Sequence, residues 1–269
     1  MKKALFLLVI ALISLHSAGQ DMPAYRLYNV KGKTVDYDKL VKEASEADIV
    51  LFGEQHNNPI CHWLQLELTK SLYLLKNKSL VMGAEMFEAD NALIISEYLT
   101  GKIKDKNFEA EARLWPNYKT DYKPLLMFAR DSNLVFIATN IPRRYASLVN
   151  REGFEALELL DAEAKRYIAP LPIAYDPELP GYKSMLEMMG GSGNHATDNL
   201  PKAQAVKDAT MAYFIAGNAG KGKTFIHFHG TYHSDNFEGI VWYLKNLNPD
   251  LKVLTISSCE QDDVDKLDE

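Results

Sequence analysis

Cysteine is nearly absent from this chain. Cys61 and Cys259 are the only two in 269 residues, too few to staple a small disulfide scaffold. Cys61 falls in a predicted helix and Cys259 follows a predicted strand. Two free thiols are the expectation, with pairing in an oxidising compartment as the alternative. Basic residues are also short: 30 Lys and Arg against 36 Asp and Glu give a formal net charge of −6. That balance argues against a nucleic-acid partner, which needs a basic face. Several catalytic signatures are missing. No His-Glu-x-x-His stretch occurs, so the familiar metalloprotease helix is excluded, and there is no Gly-x-Ser-x-Gly elbow for a nucleophilic serine. No Gly-x-Gly-x-x-Gly follows the first predicted strand. Gly220-Lys221-Gly222-Lys223-Thr224 has the wrong spacing for a phosphate loop and precedes a strand, so it reads as a turn. Internal repeats and low-complexity tracts are absent as well.

What is present is the composition of a folded globular protein, 47% hydrophobic and 25% charged, which rules out disorder, collagen and coiled coil. Residues 1–19, MKKALFLLVIALISLHSAG, read as a secretory signal: Lys2 and Lys3, an apolar run from Ala4 to Leu15, then small residues. The run is shorter than the roughly 20 residues that span a bilayer. Ser17 at −3 and Gly19 at −1 place cleavage before Gln20. Residues 20–269 are then one domain of 250 residues (269 − 19) with a charge of −8 (28 − 36). No Cys follows the cleavage region, so the chain is not expected to be a lipoprotein. The mature protein is expected to be exported, periplasmic or extracellular, with no transmembrane segment.

Five short apolar runs predict strands at Ile49–Gly53, Leu80–Met86, Leu134–Thr139, Thr224–His229 and Val253–Ser257. None alternates cleanly with polar residues, which suits strands covered on both faces. Helix signals lie between them. Pro59 opens one whose stripe is Leu64, Leu68, Leu72 and Leu75, and residues 120–132, 201–216 and 236–246 predict others. The expected class is α/β, a mostly parallel central sheet flanked by helices. Residues 141–223 exceed one crossover, so a mainly helical insertion is expected at about 150–195, before the fourth core strand.

Polar groups gather where these strands end. The first runs into Gly53-Glu54-Gln55-His56, the second into Glu85-Met86-Phe87-Glu88, the third into Asn140-Ile141-Pro142-Arg143-Arg144 and the fourth into Gly230-Thr231-Tyr232-His233. Carboxyl ends of parallel strands share one edge, where open α/β sheets place their ligand crevices. Plainer roles are available to each residue. Glu54 and His56 could cap the next helix, Glu85 could pair with Arg143 or Arg144, and His227 or His229 could be a core histidine bonded to a neighbour. Gln65 could orient His62, and Gln204 with Asp208 could be an exposed polar face. Carboxylate and imidazole together can bind a transition metal or serve as acid and base on a hydrolytic water.

Six stretches carry a family resemblance: GEQHNNPICHWLQ at 53–65, GAEMFEAD at 83–90, the segment from Trp115 to Tyr122, ATNIPRRY at 138–145, AQAVKDATMA at 203–212 and GTYHSDNFEG at 230–239. The chain resembles the ChaN-like family of haem-binding, iron-regulated bacterial proteins, within a wider group that includes the erythromycin esterases and Tiki-type proteases. The paired Gly-x-x-His elements, Gly53–His56 and Gly230–His233, are shared by the wider group. The resemblance implies haem as cofactor and partner, a role in haem or iron acquisition, binding at a subunit interface of a homodimer, and a tyrosine as iron ligand. Tyr175 and Tyr182 are the candidates, with Met185, Met188, Met189 and His195 supplying an apolar wall and a further axial ligand. Tyr213 is a third choice, better suited to core packing. The alternative is a hydrolase built from Glu54, His56, Glu85, Arg143 and His233, with Glu54, His56 and His233 as candidate ligands of a divalent metal and Arg143 holding an anionic group.

Overall fold

The computed structural model describes residues 23–190, 199–220 and 222–267. The leader 1–19, the side chains of Met188 and Met189, and His195 lie outside the described residues. A two-stranded antiparallel ribbon comes first, β1 (Leu27–Tyr28) and β2 (Thr34–Val35). Helix α1 (Tyr37–Glu46) begins where Asp36 accepts a hydrogen bond from the Lys39 amide, satisfying one of the amides a helix start leaves open. Strand β3 (Ile49–Glu54) is buried along its whole length. Helix α2 (Pro59–Lys76) starts as its sequence dictates, with Asn58 accepting from the Ile60 and Cys61 amides and Pro59 in the first turn.

Then follow β4 (Leu80–Glu88), α3 (Ala92–Leu99), α4 (Asp105–Glu111), a π-helical turn at Tyr118–Tyr122 and α5 (Lys123–Asp131). Next come β5 (Val135–Asn140), α6 (Arg143–Glu152), α7 (Ala162–Lys165), α8 (Pro180–Gly190) and α9 (Leu200–Asn218). The chain closes with β6 (Thr224–Gly230), α10 (Ile240–Leu247) and β7 (Val253–Ile256).

Strands β3 to β7 form one parallel sheet in the order β5-β4-β6-β3-β7. The fold is α/β, with helices on both faces. Residues alternate between two cores. Val50, Phe52, Met82, Ala84, Ile226 and Phe228 pack with α2 and α5 on one face. Ile49, Leu51, Val81 and Phe225 pack with α6, α9 and α10 on the other. The chain leaves β3 for β4, passes to the neighbouring β5, and returns to fill the gap with β6, so the central strand is the fourth in sequence. This reversal brings the ends of β3, β4 and β6 side by side.

Three details differ from the sequence reading. Leu68 and Leu72 are fully buried, but Leu75, in the last turn of α2, is 60% exposed. The helix expected from residue 236 begins at Ile240, since Asn236, Phe237 and Gly239 all have positive φ and hold a turn. The helix expected from 120 is α-helical only from Lys123, after the π turn. Cys61 is buried, Cys259 is exposed, and both are free. Among the described residues, no helix is long and apolar enough to cross a membrane.

Candidate functional site

Glu54, the last residue of β3, points to the α2 face and is buried. A buried carboxylate needs donors, and this one has three. Tyr122 donates at 2.7 Å, Gln65 at 2.5 Å, and His56 Nδ1 lies at 3.0 Å. The other side of the same cluster is built by α2 and the π turn. The Gln65 carbonyl faces His62 Nδ1 at 3.1 Å, His62 Nε2 lies 3.0 Å from the His56 carbonyl, and Asn117 donates to that carbonyl at 2.8 Å. His56 is therefore fixed by its backbone and by Nδ1. Its side chain is 42% exposed and its ring lies edge-on to Trp115 at 5.0 Å. The hydrogen bond to Glu54 raises its pKa above the ordinary histidine value, and partial burial opposes this.

Glu85 points to the opposite face of the sheet, toward α9. The Gly230 amide donates to it at 2.9 Å, and His233 Nε2 lies 3.3 Å from its other oxygen. His233 Nδ1 bonds Asp208 closely, and the Gln204 amide reaches the same nitrogen at 2.9 Å. Tyr182 donates to the second Asp208 oxygen at 2.7 Å. All five of these side chains are buried. Burial alone would lower the His233 pKa, but attraction to Glu85 and then Asp208 overrides it and pushes the value up to about 10. Burial likewise opposes ionisation of Glu85, and His233 overrides it, holding the carboxyl well below the usual range. His233 is thus a buried cation shared by two carboxylates. Gly230 joins this cluster to the first: a Cβ placed there would sit 2.8 Å from His56 Cε1 and Nε2 and 3.7 Å from a Glu85 oxygen.

His227 and His229 form a third, neutral element. Their Nδ1 atoms are 3.1 Å apart, so one donates and the other accepts. Thr139 gives its proton to the Ala84 carbonyl, so it accepts from His227 Nε2 at 2.7 Å. His227 Nδ1 is then the acceptor, His229 Nδ1 carries the proton, and Ser234 donates to His229 Nε2 at 2.8 Å. Burial first, then repulsion from neighbouring histidines, lowers both pKa values, that of His229 to about 3. Both are core histidines bonded to each other.

The carboxyl edge thus brings together Glu54, His56, Glu85 and His233. It does not tie in Arg143, which is exposed at the start of α6, whereas Arg144 is held by Asp90 at 2.6 Å. Glu85 pairs with His233 instead of either arginine. Gln204 and Asp208 face inward, so the exposed polar face does not exist; their one-turn spacing was the available signal. In the sequence Tyr122 and Trp115 stand out only as part of a motif, since nothing local marks a partner for Glu54. Between α7 and α9, Tyr182 is buried against Asp208, while Tyr175 is partly buried between Phe154 (5.6 Å) and Tyr182 (5.7 Å). The Tyr175 hydroxyl makes no hydrogen bond among the described residues, and Met185 is partly exposed on α8. Among the described residues, no group of three or more His, Cys, Asp or Glu is arranged to hold a metal ion.

Residues 40–244 match the family described as haem-binding uptake, Tiki superfamily, ChaN. No curated protein matches the chain. The solved structure of ChaN of Campylobacter jejuni, described as showing cofacial heme binding, is similar in fold, with a TM-score of 0.66 at 16% identity over 89% of this chain and 92% of that one. RRSP, a MARTX toxin effector domain from Vibrio vulnificus, overlaps 88% of this chain and 42% of its own, at 17% identity and a TM-score of 0.46.

Proposed function

The chain belongs to the haem-binding uptake (ChaN) family of the Tiki superfamily, and on that premise we propose that it binds haem beside α8, with Tyr175 as iron ligand, and serves haem or iron acquisition after export. The observation that carries this reading is the Tyr175 hydroxyl. It makes no hydrogen bond among the described residues, and its ring lies between two aromatic side chains. Tyr182, the other candidate, has its hydroxyl committed to Asp208, and burial pushes its pKa well above that of an ordinary phenol. A tyrosine ligand must shed its proton to the iron; burial raises the pKa of Tyr175 too, but without the Asp208 carboxylate that opposes ionisation of Tyr182.

The residues present fit the group. A macrocycle needs an apolar face, and α8 offers Met185 and the exposed Leu186, with Met189 and His195 next in sequence. When bound, ferric haem supplies a Lewis-acidic iron whose properties follow its axial ligand. Phe237 is also exposed beyond the β6 end, and Leu186 with Phe237 would be covered by a second copy in the homodimer expected of the family. Export rests on the leader, residues 1–19, with a mature N-terminus at or within two residues of Gln20.

The hydrolytic reading has less support. His233 has both nitrogens engaged, so it has neither a lone pair for a metal nor a site to accept a proton, and Arg143 has no partner in the cluster.

A haemin titration of the purified chain tests the proposal. Near-stoichiometric binding with a shifted Soret band is expected. Tyr175→Phe should abolish the phenolate charge-transfer bands, and Tyr182→Phe should retain them. A titration like that of an unrelated acidic protein would sink haem binding. Phenolate bands that survive Tyr175→Phe would move the ligand elsewhere. Intact mass of protein from its native host checks export.

A further inference from the structure

The buried charges on the α9 side of the carboxyl edge take no direct part in a haem site beside α8, yet they reach its tyrosine. Asp208 on α9 is fully buried. One of its oxygens bonds the His233 cation, and the other accepts from Tyr182 at 2.7 Å. Tyr182 stands in the first turn of α8, and its ring lies 5.7 Å from that of Tyr175. A second buried group holds the same segment. The Tyr243 hydroxyl of α10 lies beside that of Tyr182 and donates at 2.7 Å to the carbonyl of Ala174, one residue before Tyr175. The start of α8 is also gripped from outside, where the Gly181 amide donates to Glu238 at 2.6 Å and Tyr232 donates to the Gly181 carbonyl. Those outer bonds and that of Tyr243 fix backbone, whereas Asp208 fixes a ring on which Tyr175 rests.

We propose that Asp208 is a positioning residue for the iron ligand: it locks the Tyr182 ring, and that ring sets the direction in which Tyr175 presents its hydroxyl. The inference rests on the haem-binding reading with Tyr175 as ligand. Tyr175 makes no hydrogen bond among the described residues, so its packing against Phe154 and Tyr182 directs it. That direction is only as firm as the two rings. Phe154 has no polar handle. Tyr182 has one, and it donates to a carboxylate, an acceptor that makes hydrogen bonds roughly twice as strong as neutral ones do. Both partners are buried, which strengthens the bond and leaves no water to replace it. Burial works against the Asp208 charge, and attraction to His233 opposes that penalty. The buried cluster thus acts on the haem site through one hydroxyl.

Haemin titrations of Asp208→Asn and Tyr182→Phe, alone and together, test the proposal, with Tyr175→Phe as the reference for a lost ligand. Each single variant should keep the phenolate charge-transfer band at a shifted wavelength. Each should bind haemin about tenfold more weakly, the usual scale for a group that orients a metal ligand without touching the metal. Because Asp208 acts through Tyr182, the double variant should bind within about twofold of Tyr182→Phe alone. In haem-free protein labelled at the tyrosine ring carbons, the Tyr175 resonance, assigned with Tyr175→Phe, should move in both single variants. Tyr182→Phe leaves the Asp208–His233 contact in place, so it carries the affinity and band test if Asp208→Asn fails to fold. Losses that multiply to about a hundredfold in the double variant would overturn the route through Tyr182. Single variants that bind haemin as tightly as wild type, with an unshifted band, would overturn the positioning role and leave haem binding intact. A wild type that binds no haemin would remove the haem reading and this role with it.

Discussion

Nε2 of His233 lies 3.3 Å from a carboxylate oxygen of Glu85, and both side chains are buried. Without His233, Glu85 would be a buried carboxylate held only by the Gly230 amide, whereas without Glu85 the His233 cation would keep Asp208. Their elements come from different parts of the sequence, and only the central placement of β6 beside β4 makes them neighbours.

Breaking this pair from one side should destabilise strongly. His233→Gln should lower unfolding free energy by about 3–5 kcal/mol, the cost of stranding buried carboxylates, and Glu85→Gln, which leaves His233 paired with Asp208, should cost less. The double variant should lose less than the sum, by about 0.5–3 kcal/mol. Urea denaturation of the four proteins measures this, and strict additivity would mean that the two groups do not interact.

The same pair sets a pH dependence. His233 titrates at about 10 in the fold, against about 6.5 when unfolded. Its contribution is full below about 6.5 and declines as pH rises toward 10. Glu85 is depressed, so its contribution is full above the unfolded carboxyl value of about 4.3 and declines as pH falls below it. The stability gap between wild type and His233→Gln should therefore narrow from pH 7 to pH 10. A gap that stays constant would show that His233 is not the cation.

His227 and His229 act in the opposite sense. Their folded pKa values lie below the unfolded one, so the unfolded chain binds more protons and acid favours unfolding as pH falls below about 6.5, through His229 down to about pH 3. Nitrogen-detected NMR should find His227 protonated on Nε2 and His229 on Nδ1, both neutral at pH 5. An imidazolium at either position would refute the chain of bonds through Thr139 and Ser234.

At His56 the hydrogen bond to Glu54 is the largest influence and raises its pKa. Glu54→Gln should lower the His56 titration midpoint in a proton NMR series. A midpoint that stays put would remove Glu54 as the group that orients the ring.

Two glycines should answer differently to alanine. A Cβ at Gly53 would lie 2.8 Å from the Thr231 Cα, which cannot yield, so Gly53→Ala should cost about 1–3 kcal/mol. At Gly230 the obstacle is the half-exposed His56 ring, so Gly230→Ala should change stability by less than about 1 kcal/mol while displacing His56 from Glu54. Equal losses by thermal denaturation, with an unchanged His56 resonance, would contradict this.

The amino-acid sequence determined the class of fold, because five apolar runs separated by helical stripes admit little but a covered parallel sheet. It also placed Glu54, His56, Glu85 and His233 on one edge, since a strand's carboxyl end is a local property. The tertiary structure decided the pairings. Period-two alternation says which residues share a strand face, but not which strand lies alongside, and the order β5-β4-β6-β3-β7 has no local signature. That order gave Glu85 to His233 and left Arg143 outside the cluster. Packing of the π turn against α2 gave Glu54 its tyrosine from 68 residues away, and the start of α8 over α9 sealed Tyr182 onto Asp208 with Tyr175 beside it. Long-range burial made those choices, because a charge removed from water takes whatever partner the assembled layers bring within reach.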